Sequence, residues 1–94
     1  MYILRIEHPV PNFEGWKQAF DNDPMGRERS GVRRYRVLRP VEDANYAIVH
    51  LEFDSLEEAE RMLLSLRRLW QDAEGRLMTD PRARILEAVE SREY

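Results

Sequence analysis

The chain has 94 residues, 35% of them charged, a net charge of −3 and no cysteine, which excludes disulfide frameworks, thiolate nucleophiles and Cys-ligated zinc or iron–sulfur sites. A chain this short makes a single domain, residues 1–94, and buries only about 60 to 65% of its unfolded surface, so its core is thin and a partner subunit would reinforce it. No apolar run approaches the roughly 18 residues of a membrane span, and Met1 leads directly into strand-like sequence, so the expectation is a soluble, cytoplasmic protein with no membrane partner.

In chain order, Leu4 and Ile6 alternate with Arg5 and Glu7, which predicts a strand over Tyr2 to His8 ended by Pro9 and Pro11. Asn12 is placed to cap a helix over Phe13 to Asp21, whose Phe13, Trp16, Ala19 and Phe20 share one stripe. Asp23-Pro24 and Ser30-Gly31 mark a connection with room for one short helical turn between Pro24 and Arg29. Val32 to Arg39 alternates again as a second strand, and Pro40 to Asn45 reads as a hairpin loop.

The second half repeats the phrase. Tyr46 to Phe53 is a third strand with Ala47, Val49, Leu51 and Phe53 on one face and Tyr46, Ile48, His50 and Glu52 on the other. Ser55 and Glu58 have the spacing of a capping box at the start of a helix over Leu56 to about Ala73, with a stripe of Leu56, Ala59, Leu63, Leu66 and Trp70 and a stop at Gly75. Pro81 precedes a last strand, Arg82 to Val89. Two strand-helix-strand units in this length predict an α+β, ferredoxin-like β-α-β-β-α-β sandwich, a four-stranded antiparallel sheet with both helices on one face.

Charge is unevenly spread. From Arg27 to Arg39 there are six arginines and one acid, and from Glu42 to Glu60 seven acids and no basic residue, so the two segments are expected to neutralise each other across paired strands or a subunit interface. The helix-free face of the sheet would carry Ile3, Arg5, Glu7, Arg34, Arg36, Ile48, His50 and Glu52. Together with Val32, Leu38 and Tyr46 it is too apolar for an ordinary wet face, and it predicts a homodimer through stacked sheets, with Ile3, Arg5, Arg34, Arg36, Ile48, His50 and Glu52 at the contact and Arg–Glu pairs across it.

The strings Trp16-Lys17-Gln18-Ala19-Phe20-Asp21, Asp23-Pro24, Arg29, Gly31 to Arg39 and Leu51 to Ala59 resemble small bacterial members of the dimeric α/β-barrel superfamily, of the antibiotic-biosynthesis-monooxygenase type. That resemblance implies a homodimer in which each subunit keeps a pocket between its helices and its sheet. It also implies a cofactor-independent monooxygenase acting on an aromatic or polyketide-like substrate. The haem-degrading branch of the superfamily uses an Asn on the first strand and a Trp and a His in the later helical region; here the first strand has no Asn, and Leu56 to Gly75 has Trp70 but no His.

Candidate pocket residues are Trp16, Phe20, Tyr35 and Trp70, which would suit a small hydrophobic or aromatic ligand. His8, on the Leu4 and Ile6 side of the first strand, is the candidate general base, and Tyr35 offers a hydroxyl; each also has an inert reading, a surface histidine and a satisfied core tyrosine. Asp21, with Arg27 or Arg29, reads as a structural ion pair at a helix end. Two histidines this far apart do not make a metal-ligand spacing, and there is no phosphate loop, so neither metal nor cofactor is expected. The alternatives are a non-enzymatic ligand-binding or structural dimer and an RNA-recognition module with the same element order. In the RNA reading, Ala44, Asn45 and Ile48 stand where a basic residue, a glycine and a stacking ring belong, so no nucleic-acid partner is expected.

Overall fold

A computed structural model describes residues 1–73 and 81–94. The elements run β1 (Tyr2–Pro9), α1 (Phe13–Asp21), β2 (Arg34–Leu38), β3 (Tyr46–Phe53), α2 (Leu56–Ala73) and β4 (Arg82–Glu87). The strands form one antiparallel sheet in the order β2-β3-β1-β4, and the two helices cover one of its faces, the ferredoxin-like sandwich that the doubled phrase predicts. The expected stop at Gly75 lies outside the described residues.

Local chemistry sets the helix starts. Asn12 is extended at φ −150°, and its side chain accepts the Gly15 N–H at 3.0 Å, satisfying one of the donors that a helix start leaves open. Ahead of α2 the Ser55 hydroxyl accepts the Glu58 N–H at 3.2 Å and donates to the Glu58 carboxylate at 3.1 Å. Because Leu56 sits in that first turn it is exposed, not part of the stripe as expected; Ala59, Met62 and Trp70 are buried instead, with Leu63 and Leu66 packed beside them. On the sheet Leu4, Ile6, Ala47, Val49, Leu51 and Phe53 complete the core under the helices.

No continuous helix forms between Pro24 and Arg29; a single isolated turn closes there by the Ser30 N–H to Gly26 O bond at 3.0 Å, within a series of turns. Two further expectations change. The second strand begins at Arg34, two residues late, because Gly31 at φ +102° redirects the chain and carries Val32 into the core, not onto the helix-free face. The last strand ends at Glu87, since β1 starts at Tyr2 and leaves only the Ala88 N–H to Met1 O bond at 3.0 Å beyond it.

The opposed charge segments meet across β2 and β3 as expected. Arg34 forms a two-pronged pair with Glu52, both bonds 3.0 Å, and Arg33 approaches Asp54 at 3.4 Å. Asp21 pairs with Lys17 at 2.8 Å, not with Arg27 or Arg29; the helical spacing of four favours the neighbour on its own helix. Arg27 turns instead to Asp23 and to the end of α1.

Candidate functional site

Between the helices and the sheet lies a cavity of about 180 Å³. Trp16, Ala19 and Phe20 reach it from α1, His8 and Ile6 from β1, Val49 and Leu51 from β3, and Met62, Leu66, Leu69 and Trp70 from α2. Asp23, Pro24, Met25 and Arg27 close the end beyond α1. Its volume is comparable to the roughly 150 Å³ engineered apolar cavity that takes up benzene, so the space matches a small aromatic ring system.

Aromatic side chains along one wall form a continuous series. His8 meets Trp16 edge-on at 5.8 Å between ring centres, Trp16 stacks on Phe20 at 5.4 Å, and Phe20 meets Tyr35 edge-on at 5.2 Å. Trp16, Phe20 and Trp70 line the cavity, whereas Tyr35 does not. Tyr35 stands one ring further out, packed behind Phe20 on the short edge strand β2 and 44% exposed.

His8 is not a surface histidine. The alternation of β1 points it the same way as Leu4 and Ile6, and only 2% of its surface remains exposed. Burial lowers its pKa from 6.5, while the bond between Nδ1 and the Pro9 carbonyl at 3.2 Å opposes that shift. A carbonyl only accepts, so Nδ1 carries the proton and Nε2 keeps a lone pair. Among the described residues no buried side-chain nitrogen or oxygen lacks a partner, so Nε2, which bonds to no other group, is open to the cavity that the ring lines. The result is a neutral base at the wall of an aromatic cavity.

The charged pair at the far end joins Asp23, read from the sequence as part of a connection, to Arg27, read as a partner of Asp21. Asp23 takes a left-handed conformation at φ +52°, one that Asp tolerates better than most residues, and its carboxylate accepts the Arg27 N–H at 2.9 Å. The Arg27 guanidinium lies 3.6 Å from the same carboxylate oxygen and donates to the Phe20 carbonyl at 2.8 Å. It also stacks 3.9 Å over the Phe20 ring and 4.8 Å from that of Tyr35. The signal available in sequence was the four-residue spacing of Asp23 and Arg27. Met62 and Leu69, also missed, fall at helical spacing from Leu66 and Trp70.

On the helix-free face Arg5 bonds to Glu7 at 2.9 Å and to His50 at 2.9 Å, and the Tyr46 hydroxyl donates to Glu7 at 2.8 Å. Those bonds hold the Glu7 carboxyl below its usual range, the tyrosine first and Arg5 next. His50 thus meets Arg5, and both acids of this face pair within one protomer. Among the described residues no group of three or more His, Asp or Glu side chains converges to hold a metal ion, and no helix is long and apolar enough to cross a membrane.

No family model and no curated protein matches the sequence. Solved structures do. A protein from Deinococcus radiodurans assigned to the antibiotic biosynthesis monooxygenases superposes with a TM-score of 0.75 at 20% identity, over 100% of this chain and 98% of that one. SnoaB, a cofactor-independent oxygenase from Streptomyces nogalater, gives 0.73 at 14% identity over 96% and 94%. A dimeric ferredoxin-like protein from an uncultured marine organism gives 0.68 at 8% identity over 100% of both chains. The fold of this chain is that of antibiotic-biosynthesis-monooxygenase-like proteins, as the sequence resemblance implies.

Proposed function

We propose that this protein is a homodimeric, cofactor-independent monooxygenase acting on a small aromatic substrate held between its helices and its sheet. The observation that carries the reading is His8: a neutral, buried imidazole with Nε2 open to a cavity walled by Trp16, Phe20 and Trp70. The description of SnoaB as a cofactor-independent oxygenase supports the reaction class, and the marine neighbour's description as dimeric supports the assembly. The cavity volume favours one or two fused rings over a larger polyketide.

Oxygenation without a cofactor requires a substrate that supplies its own electrons, such as a ring methylene beside an aromatic carbonyl. Nε2 of His8 takes one proton from that methylene, and the carbanion passes its electrons to dioxygen and forms a C–O bond. The resulting hydroperoxide loses water to leave a carbonyl, so one oxygen atom enters the product and the other departs as water. Arg27, at the cavity end, would stabilise negative charge on the carbonyl oxygen during proton removal.

Oxygen-electrode assays over a panel of one- and two-ring phenols, naphthols and quinols test this reading. The expected result is oxygen uptake with quinonoid product, reduced about 100-fold or more in His8→Ala. Ligand-induced thermal stabilisation with no product would establish the non-enzymatic binding protein instead, and absence of both would overturn the cavity as a binding site.

A further inference from the structure

The strand register places one row of side chains straight across the helix-free face. Arg36 on β2 is opposite His50 on β3, His50 is opposite Arg5 on β1, and Arg5 is opposite Arg84 on β4. Every member of this rung is basic or titrates as a base. Arg5 and Arg84 are directly opposed like charges, and such a pair costs stability unless something compensates it. The adjacent rungs are mixed: Leu38, Ile48, Glu7 and Arg82 on one side, and Arg34, Glu52, Ile3 and Leu86 on the other.

The carboxylates of the face are already engaged. Glu7 accepts from Arg5 and Tyr46, and Glu52 accepts both bonds of Arg34. Among the described residues Arg36 and Arg84 have neither an ion-pair nor a hydrogen-bond partner. His50 does not add a counter-charge. Its Nε2 lies 2.9 Å from an Arg5 nitrogen that can only donate, so Nε2 accepts and the imidazole is neutral, with its remaining N–H on Nδ1.

We propose that the rung of Arg36, His50, Arg5 and Arg84 is a binding site for a multivalent oxyanion of the phosphate or sulfate class, and that the sheet-to-sheet homodimer closes around that anion. The second half rests on the dimer reading above. Arg5 and Arg84 stand on neighbouring strands about 4.8 Å apart, Arg36 and Arg5 flank His50 at two such spacings, and their planar donor groups match the oxygens of an oxyanion. Stacking two such faces brings together ten arginines and four glutamates, twice the five and two on each open face. The aliphatic residues on the flanking rungs favour contact, yet a dry contact would bury Arg36 and Arg84 of both copies without partners. An anion shared by the two rungs removes that surplus and leaves Leu38, Ile48, Ile3 and Leu86 to pack around it.

Two measurements at fixed pH and fixed ionic strength decide the matter, with sodium phosphate or sulfate exchanged for sodium chloride. Sedimentation equilibrium is expected to show a dimer dissociation constant at least tenfold tighter in phosphate and sulfate than in chloride, and calorimetry is expected to show phosphate binding. The double variant Arg36→Gln with Arg84→Gln alters only exposed side chains and is expected to fold, to lose the phosphate response and to dimerise in chloride at least as tightly as the parent. A dimer constant equal in all three salts, with no calorimetric phosphate signal, overturns the proposal and leaves the dimer reading intact. A chain that stays monomeric in every salt overturns the dimer reading and the second half of the proposal, and phosphate calorimetry on that monomer then upholds or overturns the anion site.

Discussion

The two faces of the sheet are built from the same alternating strands and handle polarity in opposite ways. Under the helices a single polar side chain of the sheet, His8, is buried among apolar and aromatic residues, and burial keeps it neutral. On the other face polar groups dominate the central rungs, and their pairing is local and incomplete. One face is therefore finished within a single chain, whereas the other is left with cations that call for something outside it. The proposed substrate chemistry rests on the first and the proposed assembly on the second.

The largest test of this division is a matched pair of truncations. Phe53 is fully buried on the helix-covered face, and Phe53→Ala is expected to lower stability by about 3–5 kcal/mol. Leu38, exposed on the other face, should change the stability of the dilute protein by no more than about 0.5 kcal/mol when replaced by Ala. Urea unfolding at low protein concentration measures both. Comparable losses would mean that the open face is as much a part of the single-chain core as the covered one.

A smaller effect concerns the loop that delivers Val32 to the covered face. A Cβ on Gly31 would stand 2.5 Å from a carboxylate oxygen of Glu58, at a φ of +102° that other residues rarely adopt. Gly31→Ala is expected to cost about 1–3 kcal/mol. Gly15 is helical, and its nearest neighbour would be an ordinary 3.9 Å away. Gly15→Ala should instead stabilise by about 0.5–1 kcal/mol, as removal of a helical glycine does. Opposite signs in thermal melts support the redirecting role of Gly31, and a neutral Gly31→Ala would contradict it.

These residues also show how far the sequence was legible. The period-two strands, the Asn12 cap and the Ser55–Glu58 box were local signals, and the elements formed where they pointed. Gly31 was visible as a turn residue, but its positive φ depends on how the loop meets Glu58, a contact between distant segments, so Val32 was assigned to the wrong face. His8 was placed on the correct side of β1 by alternation, yet its burial depends on Trp16 arriving from α1. Arg5, Arg36 and His50 were each readable as open-face residues. Their alignment in one row with Arg84 was not, because register is set by backbone pairing between strands.

The two histidines allow the faces to be compared by pH. Both pKa values lie below 6.5, each with burial as the first cause, and His8 is the more deeply buried. A depressed histidine leaves the unfolded chain holding more protons, so its share of stability is complete above pH 6.5 and is lost as pH falls through the folded-state pKa. His8→Gln should therefore flatten the loss of urea stability between pH 7 and pH 5 more than His50→Gln does. Equal flattening would remove the contrast between a sealed and an open face.

The smallest expected change in stability is the most selective between the faces. Arg36→Gln removes an exposed cation and should leave unfolding within about 0.5 kcal/mol of the parent. Behind burial and Arg5, Arg36 is one of the influences that lower the His50 pKa, while Glu52 and Glu7 oppose them. Its loss should raise the His50 titration midpoint, followed by NMR of the ring protons, and leave that of His8 unchanged, because the sheet lies between them. A shift at His8 of similar size would mean that charge on the open face reaches the cavity. The base would then be tuned by whatever anion or subunit occupies the opposite side, and a dimer that excluded the anion would alter activity as well as assembly.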